Sequence, residues 1–282
     1  MCDKLKSVRW VFDCTLWKPT VSEILLASSC IQQEEKERLG KFVFQRDIKS
    51  SLIGRLMMRK YISEVCNKSW TDIIISRDTN GKPYYKSNDL PINFNVSHQG
   101  RYTILAGEIG DVDLGVDIME REYKGGKNID EFFRIMNRNF SNEEWKSIRK
   151  SSNEKNQINK FFRFWCLKES FVKATGTGIT VDLQKISFNL NTESINLNEF
   201  VYDTEVFVDS VKLNNWIFQE TLLPYDHCAA VAIHIKNTCI KINPIENFTF
   251  LDFKQLTDKA KPILDEDKSF CNDFFEKDIC PN

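Results

Sequence analysis

The run F-F-R-F-W-C-L-K-E-S-F-V-K-A-T-G at residues 161–176 constrains the fold more than any other stretch of the chain. On a helix of 3.6 residues per turn its apolar side chains fall on nearly every side, so the helix must be buried. Gly176 is placed to end it. Trp165, Glu169 and Lys173 recur every four residues and share one face. On an exposed helix, Glu169 and Lys173 would be an ordinary ion pair worth about 0.2–0.5 kcal/mol. On a buried helix both charges need partners. A metal for the carboxylate and a phosphate for the ammonium would supply them.

Around that helix, helical patterns and short strands follow one another without the regular alternation of a doubly wound sheet, which predicts an α+β fold. Residues 8–17 carry strand formers. Thr20 to Glu23 is a capping box, and Ser29 to Gln32 a second one opening a charged helix to about Leu39. In 46–66, Ile48, Leu52 and Leu56, with Ile53 and Met57 beside them, make an apolar face and leave Arg55, Arg59 and Lys60 for the other side. Thr71–Ser76 reads as a strand and Asp78 to Gly81 as a hairpin turn. Ile92–Val96, Tyr102–Gly107 and Asp113–Ile118 are strand-like. Helices are predicted over 130–138 and 141–150, the second boxed by Ser141 and Glu144, with 151–159 a polar loop. Strands return at Ile186–Leu190, Glu205–Val208, Trp216–Glu220 and Ala229–His234. The length of 282 residues suits about two domains. They are drawn at 1–112 and 113–236, with 237–282 a tail lying over the body. The halves share no letter-by-letter repeat.

Charge narrows the function. Lys and Arg total 39 against 40 Asp and Glu, a net charge of −1, whereas proteins that bind duplex DNA draw affinity from a basic excess. No apolar run approaches the roughly 18 residues of a membrane span. The first twenty residues lack the apolar core of a secretory signal. Nine scattered cysteines without a C-x-x-C pair read as free thiols in a reducing compartment, the cytosol by default. His227, Cys228, His234 and Cys239 lie close in sequence, but H-C-A-A-V-A-I-H-I-K reads as a buried strand, where four ligands would not converge. The G-x-x-x-x-G-K-[ST] loop of P-loop enzymes is absent.

Four segments could carry chemistry. N-F-N-V-S-H-Q-G at 93–100 ends a strand in Ser97 and His98, where side chains can meet a ligand; a turn with a self-bonding Ser and a surface His would read the same way. In D-L-G-V-D-I-M at 113–119, Leu114, Val116 and Ile118 point one way, and Asp113, Gly115, Asp117 and Met119 the other. Asp117 among apolar neighbours is either an ordinary edge-strand Asp or a ligand for a hard cation such as Mg²⁺. The 161–176 helix adds Glu169 and Lys173. Finally, Arg46 opens a helix, and Arg77 to Lys82 is a turn with a cation at each end. Such a turn is either simply solvated or presents side chains and N–H groups to phosphate.

Taken together, F-V-F-Q-R-D-I-K-S-S-L-I-G-R-L-M-M-R-K (42–60), F-N-V-S-H-Q-G (94–100), G-V-D-I (115–118), E-F-F-R-I-M and F-S-N-E-E-W (within 131–146) and F-W-C-L-K-E-S-F-V-K-A-T-G (164–176) resemble the Sfp-type 4′-phosphopantetheinyl transferases, over about residues 8–275. The resemblance implies that the 4′-phosphopantetheine arm of coenzyme A passes to a serine hydroxyl of an acyl- or peptidyl-carrier domain while adenosine 3′,5′-bisphosphate leaves. It implies a monomer of two similar α+β halves about a pseudo-twofold, with the active site in the cleft between them. Asp117 and Glu169 match the family's Mg²⁺ ligands. Arg46, Arg77, Asp78, Thr79, Asn80, Gly81, Lys82, Asn95, Val96, Ser97 and His98 match its coenzyme A contacts, as do Asp117, Glu169, Ser170, Phe171, Val172 and Lys173, with His98 near the 3′-phosphate. Glu169 and Lys173 are the catalytic candidates. Lys173 serves the phosphates, and Glu169 is the base for the carrier serine, with a metal-bound water as the alternative. The implied partners are carrier domains of the fatty acid synthase, aminoadipate-semialdehyde dehydrogenase and formyltetrahydrofolate dehydrogenase type, not nucleic acid or membrane.

One position departs from the pattern. Many bacterial members read D-x-E, and here the second acidic place is Met119, with Glu120 on the opposite strand face. The ion should then be held by two protein carboxylates and more water. Three other readings compete. Another Mg²⁺-dependent phosphoryl or nucleotidyl transferase would use the same residue types. A non-catalytic module that binds coenzyme A or a carrier would keep the cations and could dispense with Asp117 and Glu169. Nucleic-acid binding through Arg46, Arg55, Arg59 and Lys60 is disfavoured by the neutral charge balance.

Overall fold

The computed structural model describes residues 7–87, 90–126, 128–178, 181–237 and 247–279. Its architecture is α+β. The chain divides into two compact units, Met1–Gly110 with Phe248–Asn282, and Asp111–Asn247. Cys239 of the His/Cys group lies outside the described residues.

The first unit begins with β1 (Val8–Asp13), α1 (Val21–Ser29), α2 (Gln33–Gly40), α3 (Gln45–Cys66), β2 (Ser76–Arg77), β3 (Pro83–Tyr84), β4 (Ile92–Gln99) and β5 (Tyr102–Ile109). Thr20 caps α1 in a full capping box with Glu23. The box predicted at Ser29 is displaced. Ser29 still belongs to α1, where its hydroxyl donates to the Leu26 carbonyl, and Gln32 with Glu35 makes the box that opens α2. The strand predicted over 71–76 shrinks to Ser76–Arg77, because Trp70–Asp72 coils into a 3-10 turn. β5 pairs antiparallel with both β1 and β4, and α3 packs on this sheet through Leu52, Leu56, Met57 and Tyr61, all fully buried.

The far side of α3 is covered too, which corrects the two-faced helix read from its spacing. Arg59 is 0% exposed and Lys60 is 7% exposed. Arg59 donates to the carbonyls of Trp70 and Ile73 and to the Gln32 side chain. Lys60 is held between Glu64 and Asp258.

The second unit contains β6 (Val112–Glu120), α4 (Ile129–Ile135), α5 (Asn142–Arg149), α6 (Glu154–Thr175), β7 (Ile186–Asn189), β8 (Glu205–Val208), β9 (Val211–Lys212), β10 (Trp216–Leu223) and β11 (His227–Ile235). β6, β11 and β10 form one antiparallel sheet, and β7, β8 and β9 another. α6 lies on the β6–β11 sheet, buried along Phe161, Phe164, Cys166, Leu167 and Phe171. It starts earlier than its apolar run, because Asn153 caps it and the polar residues 154–159 form its outer turns instead of a loop. It ends at Gly176 in the left-handed conformation. A buried ion pair fastens the helices: Lys168 of α6 meets Glu144 of α5 at 2.9 Å, and that carboxylate also accepts from the N–H of Phe188 in β7.

The chain then returns to the first unit. β12 (Thr249–Phe250) pairs parallel with β1, followed by α7 (Phe253–Thr257) and α8 (Lys268–Glu276). Phe253 stacks on Trp17 with centroids 4.9 Å apart, and Leu256, Cys271 and Phe274 are buried in the same core as α3. The carbonyls of Asp278 and Ile279 accept the N–H groups of Gln45 and Arg46, so this last segment caps α3. No described helix is long and apolar enough to cross a membrane.

Candidate active site

In the second unit the site is built from the pairing of β6 with α6. Gly115 permits it. A Cβ there would lie 2.0 Å from the Ser170 carbonyl and 2.4 Å from the Ala174 nitrogen, so only glycine lets the helix backbone come so close to the strand. Two residues on, Asp117 is 5% exposed. Its Oδ1 accepts from the Lys173 ammonium at 2.7 Å, and Lys173 also reaches the Val116 carbonyl at 3.2 Å. Beneath it, the buried Cys166 thiol donates to the Asp117 carbonyl. Glu169, half-buried, stands one turn before Lys173. Burial pushes its carboxyl above the usual range, the Asp117 charge pushes it further, and Lys173 pulls it part of the way back.

Two carboxylates thus act on each other across a strand and a helix, with one ammonium shared at the Asp117 side. Like charges so placed favour a cation between them. The donors are hard oxygens, which suits Mg²⁺. Met119 and Glu120 are only half-buried. Among the described residues no group of three or more His, Cys, Asp and Glu is placed to hold a metal.

The other residues that the sequence singles out on this helix divide by face. Trp165, Glu169, Val172 and Lys173 are partly exposed. The side chains of Ser170 and Phe171 are not on that face. Ser170 is 0% exposed and its hydroxyl turns back to the Leu167 carbonyl, while Phe171 packs on Trp216 and Phe188. A cavity of about 480 Å³ elsewhere in this unit is rimmed by Arg121, Lys160 and Arg163. Those cations are already paired with Asp226, Glu193 and Glu220.

In the first unit, a cavity of about 230 Å³ opens between α3, β4 and the β2–β3 hairpin. It brings together Arg77, Asn95, Val96 and His98, which the sequence places among the coenzyme A contacts, with Ser51 and Arg55, which it does not place there. Asn95 and Ser97 are buried and His98 is exposed. The hairpin turn is as read, with Gly81 at φ +83°. Its Asp78 carboxylate accepts the N–H groups of Asn80 and Lys82 at 2.9 and 2.8 Å. Asp78 therefore shapes the turn by taking two of its N–H groups. Arg77 donates to the Gly81 carbonyl, and Thr79 and Asn80 are exposed at the tip. Arg46 sits in the first turn of α3 beside Asp47, its side chain 56% exposed. A signal for Arg55 exists in the spacing, since Ser51 and Arg55 are one helical turn apart.

Comparison with known proteins gives the same reading along the chain. Residues 15–110 match the family described as "4′-phosphopantetheinyl transferase, N-terminal". Residues 113–232 match the "4′-phosphopantetheinyl transferase superfamily". The L-aminoadipate-semialdehyde dehydrogenase-phosphopantetheinyl transferase of Xenopus laevis is 40% identical, over 98% of this chain and 94% of its own length. The human protein of the same name is 39% identical, over 96% and 91%. A phosphopantetheinyl transferase of Thraustochytrium is 32% identical, over 79% and 77%. The chain belongs to the 4′-phosphopantetheinyl transferase superfamily.

Proposed function

We propose that this protein moves the 4′-phosphopantetheine arm of coenzyme A onto a serine of an apo carrier domain. The serine oxygen attacks the phosphorus on the pantetheine side of the pyrophosphate. The bridging P–O bond breaks, and adenosine 3′,5′-bisphosphate leaves. The observation that carries this reading is the Asp117–Lys173–Glu169 cluster on β6 and α6.

Each side chain then has a task. Asp117 and Glu169 would hold a Mg²⁺ ion. Once bound, such an ion neutralises charge on the pyrophosphate as the bond breaks. Lys173 fixes the orientation of the Asp117 carboxylate through their 2.7 Å ion pair. Glu169, one turn before Lys173 on α6 and half-buried, is the candidate acceptor for the proton of the serine hydroxyl. Arg77, Lys82, Asn95 and His98 hold the nucleotide end, and Arg46 adds an exposed cation in the first turn of α3.

The reaction is proposed to run in the cytosol, on a monomer. The described cysteines, Cys14, Cys30, Cys66, Cys166, Cys228 and Cys271, are all free thiols. The names of the animal relatives point to the carrier domain of aminoadipate-semialdehyde dehydrogenase, and we extend the proposal to fatty acid synthase and formyltetrahydrofolate dehydrogenase carriers.

The test is to incubate the protein with coenzyme A, Mg²⁺ and each apo carrier, and to weigh the carrier. A phosphopantetheine mass gain is expected, and no gain on any carrier defeats the proposal. Glu169→Gln and Asp117→Asn should each abolish the gain while melting like wild type. Wild-type turnover in either variant removes that carboxylate from the mechanism.

A further inference from the structure

The cavity beside α3 contains a guanidinium outside the coenzyme A set read from the sequence. Arg55 lines it one turn beyond Ser51, to whose carbonyl Nη1 donates at 2.8 Å. Its Nε stands 3.7 Å from the carboxylate of Glu35 on α2 and makes no hydrogen bond among the described residues. Glu35 is itself 2% exposed. That single carboxylate is acted on by three guanidiniums, those of Arg55, Arg59 and Arg77. Arg59 is committed to the Trp70 and Ile73 carbonyls. Arg55 and Arg77 are near enough to repel each other. A guanidinium cannot shed its proton, so the cavity carries surplus positive charge that is costly unless an anion offsets it.

We propose that Arg55 is a specificity-determining residue: with Arg77 and His98 it receives the ribose 3′-phosphate of coenzyme A, and Glu35 positions it for that contact. The inference rests on the coenzyme A reading given above. Coenzyme A carries one phosphate monoester, the 3′-phosphate. Its other two phosphates form a pyrophosphate diester, which Asp117 and Glu169 would meet through a bound cation. A phosphate monoester is close to dianionic at neutral pH and matches guanidinium forks in charge and geometry. The cavity volume of about 230 Å³ is several times the roughly 30 Å³ of a water. It has room for a phosphate group but not for the whole cofactor.

The experiment compares coenzyme A with dephospho-coenzyme A, which lacks only that phosphate, in wild type, Arg55→Gln and Arg55→Lys. In Arg55→Gln the KM for coenzyme A should rise about tenfold or more, with kcat at saturation falling less than about threefold, and the KM for dephospho-coenzyme A should stay put. Arg55→Lys should recover part of the loss. Equal losses on both cofactors, or no loss on either, overturn the role. Calorimetric titration with adenosine 3′,5′-bisphosphate and with adenosine 5′-monophosphate needs no transfer at all. Wild type should favour the bisphosphate, and Arg55→Gln should narrow that preference while melting as wild type does. If Arg55→Gln does not fold, Arg55→Lys carries the comparison, and an unchanged preference there overturns the proposal. Carriers that gain no mass while the bisphosphate preference holds would defeat the transferase reading and leave this site standing.

Discussion

The Asp13 carboxylate ends β1 and gathers hydrogen bonds from the Thr15 N–H and hydroxyl, the Leu16 N–H and the Arg101 guanidinium. Burial pushes its carboxyl up, but the Thr15, Arg101 and Leu16 bonds outweigh that and hold it below the ordinary 3.8. A carboxyl lowered by folding contributes stability that is present above about pH 4 and lost as pH falls through the folded value. Asp13→Asn should therefore cost about 1–3 kcal/mol at pH 7 and progressively less toward pH 3, read from urea melts across that range. An equal cost at every pH would show that Asp13 works through shape and not through charge. Single residues were the hardest scale to read from sequence. Arg59 and Lys60 carry charge and were set on the side of the helix opposite its apolar face, yet both are buried, because Trp70 and Ile73 from the following turn and Asp258 from far along the chain meet them there. Ser170 follows Glu169 in the chain, but its side chain turns to the buried side of α6 and donates to the Leu167 carbonyl.

Elements were more legible where local chemistry decides them. The boxes at Thr20 and Ser141 and the glycine end of α6 follow from neighbours within four residues. The β6–α6 contact was legible only as a motif, and the structure supplies its cause. Gly115 has no room for a methyl group between strand and helix, and that closeness lets Lys173 reach Asp117. Gly115→Ala must push α6 off β6. Overpacking of this kind costs roughly 1–3 kcal/mol, a drop of several degrees in melting temperature for a protein of this size. Transfer should fall further than stability, by more than tenfold, because the carboxylate pair separates. A variant that melts lower but transfers normally would show that the pair tolerates the shift.

At the scale of the whole molecule, α+β character was readable from the order of patterns, but the destination of residues 248–279 was not. Their apolar groups are short and broken by charge, and only tertiary contact shows that Phe253, Leu256 and Phe274 complete the core under α3. Cutting the chain after Asn247 should remove on the order of 5–10 kcal/mol of apolar burial, comparable to the stability of an entire domain. Calorimetry of the shortened chain should lose the transition of the first unit while the second still melts. A full-length profile would mean that this segment is dispensable. The same arrangement governs how the protein is made. The second unit is an insertion within the first, so on the ribosome the opening 110 residues must wait while roughly 140 more are synthesised, a delay on the order of ten seconds. Through that interval the bare flank of α3 is what a chaperone would meet, and the inserted unit can be finished before the one that encloses it in sequence.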